Sequence, residues 1–197
     1  MKHSLQLQSD SSDSGVTLVE LLMYALLSSI VLFIAGGMLI AGAKTQENAR
    51  MVTDASADAQ EIMHSIGTGV ANATAISLAN GTVAGSQLLM VRTIGSDPVT
   101  TVDSCQAWYF TPLNAGAIYT MQRTPAAPIT VPSGGPAGVW TLMASGVSAG
   151  TSGKVITSTD GKTVILDLRI SAGSHPFVLI NTTLYTPQSA SVGSPCF

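Results

Sequence analysis

Residues 9–44 read SDSSDSGVTLVELLMYALLSSIVLFIAGGMLIAGAK. Apart from Glu20, no charge interrupts the apolar run from Val16 to Ala43. An α-helix rises about 1.5 Å per residue, so residues 21–43 are long enough to cross a hydrocarbon core about 30 Å thick. A secretory signal has a shorter apolar region of roughly 7–15 residues, followed by a small-residue cleavage site. The run here is longer, no such cleavage site stands just beyond it in a normal position, and the leader Met1–Gly15 is polar, with Lys2 and His3 set against Asp10 and Asp13. The helix is therefore expected to be retained. Lys44 and Arg50 follow the span while Lys2 alone precedes it, so the positive-inside rule does not orient it.

Glu20 is the informative residue. A carboxylate costs about 3 kcal/mol at the centre of a span and less near an end, and such groups generally have a partner. Val16 lies one helical turn earlier on the same face. A cut after Gly15 would give Val16 a free α-amino group, positive at neutral pH. Glu20 would then neutralise that amine in its own chain or in a neighbouring subunit, and its place in the first turn suits the helix dipole. The alternative is a carboxylate that reaches the headgroups. The residues alone leave both readings open.

The helical pattern continues beyond Lys44. Met51, Val52, Ala55, Ala59, Ile62, Met63 and Ile66 recur at steps of three and four, with Asp54, Asp58 and Glu61 largely opposite, which predicts an amphipathic helix. Gly67 and Gly69 are the expected stop signals. The segments 16–43 and 44–69 together predict one helix from about Thr17 to Ile66, about 75 Å long at about 1.5 Å per residue. Gly36-Gly37 would allow either a bend or close helix–helix packing, together with Gly42.

After Gly69 the signals change to strands. TAISLA and SQLLMVRTI flank Asn80-Gly81 and predict a hairpin with a tight turn. CQAWYFTP and AIYTMQRT predict a second hairpin across Leu113–Gly116, and TPAAPITVPSGGPAG a surface loop. VWTLMASGV, KVITST, an Asp160-Gly161 turn, TVILDLRIS and PFVLINTTLYTP follow. Val164, Leu166, Leu168 and Ile170 alternate with Ile165, Asp167 and Arg169, the pattern of a strand with one buried face. The fold class expected is α+β: a long N-terminal helix packed on a meandering antiparallel sheet over residues 70–197.

Gly15-Val16-Thr17-Leu18-Val19-Glu20-Leu21-Leu22, after a polar leader and before the apolar run, resembles the class III signal of type IV prepilins. The resemblance implies cleavage between Gly15 and Val16 by a prepilin peptidase and N-methylation of Val16. It also implies that Glu20 forms a charge pair with an N-terminal amine during filament assembly. Phe is the usual first mature residue, and Val stands here. Trp108-Tyr109-Phe110, the hairpin to Ile118-Tyr119, Trp140 before LMASGV, and TVILDLRI resemble minor pilins and pseudopilins of the J/W type, a match carried by order and a few aromatics. Leu184-Tyr185-Thr186-Pro187 lacks the Arg-Asn often found at the end of that last strand.

That resemblance implies a structural subunit of a pilus-like filament, a minor pilin that helps initiate or cap assembly, with a major pilin as the alternative. Its partners would be other pilin subunits, the peptidase and an assembly platform in the cytoplasmic membrane. The chain would be a single-pass membrane protein with an extracytoplasmic head, then part of an extracellular filament. A tip adhesin or DNA-uptake receptor is a second class of reading, and a membrane-anchored enzyme a third.

The rest of the chain is sparing in charge. Charged residues make up 10% of the 197, and the formal net charge is −3. From Lys44 onward, seven Lys/Arg face eight Asp/Glu, so no basic excess points to nucleic acid, although Arg92, Arg123 and Arg169 could gather on folding. With the bulk domain outside the cytoplasm, Cys105 and Cys196 suggest a single disulfide, and two free buried thiols are the other reading. Their spacing suits no metal site. A Cys105 nucleophile with His64 or His175 is conceivable, but disulfide and solvated histidines explain the same residues more simply. Asn72-Ala-Thr, Asn80-Gly-Thr and Asn181-Thr-Thr match the glycosylation sequon, as chance allows in a Thr-rich chain. No catalytic residue, cofactor or metal is expected.

Overall fold

A computed structural model describes residues 17–94, 102–133, 135–136, 138–187 and 195–197. The chain divides into two units, with the boundary between Glu47 and Asn48. The first unit is helical from Leu18 onward and belongs to α1 (Leu18–Ala71). Leu and Ala are its commonest residues, and both lose little freedom in a helix. Every large apolar side chain from Leu18 to Ile40 is exposed. The helix is unbroken at Gly36 and Gly37, and among the described residues no atom beyond the helix's own nearby backbone lies within 4 Å of where a side chain would begin at either.

In the second unit α1 buries Ala55, Ala59, Ile62, Ile66, Gly69 and Val70, steps of three and four that hold one face to the core. The buried stripe is narrower than the sequence predicts, because Val52 is 39% exposed. The helix also runs past the expected stops and ends at Ala71. Gly69 has a packing role instead: a Cβ there would lie 2.2 Å from the Trp108 ring. Its bare backbone lets the indole lie against the helix, and Trp108 Nε1 donates to Ser65 Oγ at 2.9 Å one turn earlier.

Two antiparallel sheets follow, rather than the single meander expected. The first contains β1 (Ala73–Asn80), β2 (Gln87–Ile94), β3 (Asp103–Thr111), β4 (Ala117–Arg123) and β5 (Thr141–Ser145), in that order. The chain changes sheet at Gly146, whose φ is 70°. The second sheet centres on β8 (Thr163–Ala172), with β9 (His175–Tyr185) along one edge. The other edge is shared end to end by β6 (Val147–Ala149), paired with Leu168–Ile170, and β7 (Ile156–Ser158), paired with Val164–Leu166.

Both hairpins form, but Asn80-Gly81 is not a two-residue turn. Asn80 still pairs with Gln87, and the loop between β1 and β2 closes through Gly81 N donating to Ser86 O at 2.9 Å. Gly81 is needed for space, since a Cβ there would lie 1.9 Å from Ser86 Oγ.

The first sheet is covered on both faces, which is why QLLMV in β2 is apolar without alternation. One face presents Leu89, Val91, Trp108 and Phe110 to a core shared with α1 and with Val164, Leu166, Leu168 and Ile170 of β8. The other presents Leu88, Met90, Cys105, Ala107 and Tyr109 to Ile129 and Cys196. The Pro/Gly-rich stretch is irregular, as expected, yet it is a covering layer rather than a mere surface loop. Ile129 is 3% exposed, its amide donates to Cys196 O at 2.9 Å, and Trp140 meets Tyr109 at 5.9 Å between ring centroids.

The sheets are also tied by one buried amide. Gln87 Oε1 accepts from Val155 N at 2.9 Å and Ile156 N at 3.0 Å, while its Nε2 donates to Ile156 O at 2.5 Å. Unpaired backbone groups in a core are costly, so Gln87 supplies β7 with partners that a strand ladder would otherwise provide.

Candidate functional site

The first turn of α1 is built by three side chains at helical spacing. Thr17 caps the helix: its carbonyl accepts from Leu21 N at 3.1 Å, and its Oγ1 accepts from Glu20 N at 3.3 Å. Thr17-Leu18-Val19-Glu20 therefore has the sequence of a capping box, in which the acidic residue would reach back to the cap. Glu20 is engaged elsewhere. Tyr24, four residues on, donates its hydroxyl to Glu20 Oε1 at 3.0 Å. Thr17 is part of the motif that marks Glu20 in the sequence; Tyr24 does not stand out there, although i+4 spacing from Glu20 would have found it. Gly15 and Val16 lie outside the described residues.

Cys105 and Cys196 are joined in a disulfide, 91 residues apart and with Cα atoms 5.5 Å apart. Both are fully buried, and the bond fastens the C-terminus over the outer face of the first sheet. Cys105 therefore has no free thiol to offer His64 on α1 or His175 on β9. Folding places Arg92, Cys105 and Arg123 in one row across β2, β3 and β4, with Arg169 on the other sheet. Arg92 is paired with Asp103: Nε donates to Oδ2 at 3.1 Å, and Nη2 reaches the same oxygen.

Three carboxylates of the second unit are perturbed, Asp167 and Asp160 downward and Asp58 upward. Asp167 was expected on the solvent face of β8 but is 7% exposed, because residues 150–152 fold over it. Its Oδ2 accepts from Ser152 N at 2.7 Å and more loosely from Thr151 Oγ1 at 3.4 Å. Donation from Ser152 is the main reason its carboxyl lies below the ordinary carboxylate value, with Asn181 and Thr151 adding to it. Asp58 on α1 is raised, first by partial burial and then by the charges of Glu61 and Asp54.

Fold and site together define a class: an α+β chain whose N-terminal helix is long and apolar enough to cross a membrane, followed by a disulfide-closed, two-sheet unit. No protein-family model, curated protein or solved structure matches the chain.

Proposed function

We propose that this chain is a prepilin-like structural subunit of a type IV pilus-like filament, joining it as a minor component that helps initiate or cap assembly. The observation that carries this reading is the capped first turn of α1, which holds one carboxylate, Glu20, at the head of an apolar segment otherwise uncharged as far as Ala43. A large exposed apolar surface requires lipid or other apolar helices around it. One subunit helix can use both in turn, lipid while stored in the membrane and neighbouring helices once assembled. Glu20 then sets the axial register, because burying its charge is tolerable only opposite a cation such as another subunit's N-terminal amine. The disulfide supports an extracytoplasmic position for the second unit, where such bonds persist.

Removal of the leader by a prepilin peptidase, between Gly15 and Val16, creates that amine. Substitution Gly15→Glu is expected to leave the leader attached, seen as a larger species on immunoblots of membranes. Recovery of normally processed protein from this variant would overturn the assignment of the cut.

A further inference from the structure

We infer that Tyr24 is a positioning residue for the Glu20 carboxylate, holding one of its oxygens and leaving the other for an incoming amine. The inference deepens the proposed function and rests on its reading of Glu20 as the assembly charge.

Three observations carry it. The Tyr24 hydroxyl donates to Glu20 Oε1 at 3.0 Å, one turn along the same helix face. Among the described residues Tyr24 is the side chain that donates to this carboxylate; Thr17 Oγ1 accepts from the Glu20 amide instead, and Ser29 donates to Leu26 O at 2.7 Å. Both groups belong to the apolar half of α1, where lipid or packed helices offer no competing water. A hydroxyl in such surroundings needs an acceptor, and a carboxylate needs donors, so each satisfies the other.

The choice of a phenol matters chemically. Tyr24 supplies a charge-assisted hydrogen bond without supplying charge, so the pair keeps its attraction for a cation. A Lys in its place would neutralise Glu20 within its own helix and remove the reason for a neighbouring amine to approach. Holding Oε1 also limits the rotamers of Glu20, which leaves Oε2 oriented before the subunits meet. Pre-ordering of this kind lowers the entropy lost when the contact forms. Tyr24 thus makes Glu20 tolerable in the stored subunit without exhausting it.

The test uses the full chain in two settings. In vesicles of phosphatidylethanolamine and phosphatidylglycerol, tyrosine is labelled with 13C at Cζ, and the Tyr24 resonance is identified by its loss in Tyr24→Phe. Glu20→Val should shift that resonance and leave those of the other tyrosines in place; an unchanged Tyr24 signal overturns the inference. In filaments sheared from producing cells, Tyr24→Phe should lower the incorporated share about tenfold, the scale of a lost hydrogen bond to a charged group. In a Glu20→Val background the same substitution should have no further effect.

An equal loss in both backgrounds would show that Tyr24 acts by packing, and would overturn the positioning role. Normal incorporation of Tyr24→Phe beside a defective Glu20→Val would overturn this inference alone. Normal incorporation of Glu20→Val would remove the assembly reading of Glu20, and the role of Tyr24 with it.

Discussion

Gly67 and Gly69 are two residues apart on α1 and read alike in the sequence, as helix stops, yet their surroundings give them opposite roles. At Gly67 the nearest atom to a new Cβ would be Leu184 Cδ2 at 3.9 Å, an ordinary contact. Gly67→Ala is therefore expected to stabilise the fold by about 1 kcal/mol, the gain in helix propensity. At Gly69 a methyl group would strike the Trp108 ring, and Gly69→Ala should destabilise by about 1–3 kcal/mol, the usual cost of overpacking. Urea unfolding in detergent, followed by tryptophan fluorescence, reads both signs; stabilisation by Gly69→Ala would contradict the packing described. The sequence could not separate the two glycines, because the difference comes from an aromatic ring more than thirty positions away. Glu20 is the reverse case, legible at once because a carboxylate in an apolar run needs a local explanation. Thr17 belongs to the motif around Glu20, whereas Tyr24, though equally local, is a residue type with nothing unusual about it in an apolar helix.

At the scale of elements, strands were legible where apolar and polar residues alternate and obscure where loops complete the burial. Val164, Leu166, Leu168 and Ile170 of β8 are all buried as their alternation predicts. Asp167, on the opposite face, is buried too, by a loop whose path no periodicity encodes. The Pro/Gly-rich stretch and the division into two sheets were hidden for the same reason: both depend on contacts between distant segments. The burial of Asp167 has a pH consequence. Its carboxyl ionises below 3.8 in the fold, so its contribution to stability is complete above the unfolded value near 3.8 and disappears as pH falls through the lowered folded value. Asp167→Asn should lower the melting temperature near pH 6, and the gap from the parent should close as the solution is acidified below 3.8. A gap that persists in strong acid would contradict the role given to the Ser152 bond. Asp160 also lies below its ordinary value, chiefly through donation from Lys162 N, so the variant should retain part of the acid sensitivity. Asp58 has the opposite sign, its ionisation costing stability as pH rises through its raised value.

At the scale of the whole molecule, two units make different demands of their surroundings. The second has its own cores and a covalent closure. The first has apolar side chains exposed along its length, and its stable environments are lipid and other helices. On the proposed reading, a subunit that moves from membrane to filament would satisfy both demands with one sequence, and a cut after Gly15 would supply a cation for Glu20. Mass spectrometry of the N-terminal peptide from sheared filaments tests that claim most directly. The account predicts a peptide beginning at N-methylated Val16, at low abundance beside the principal filament subunit. Filaments free of this chain, with the intact leader recovered from membranes, would contradict it.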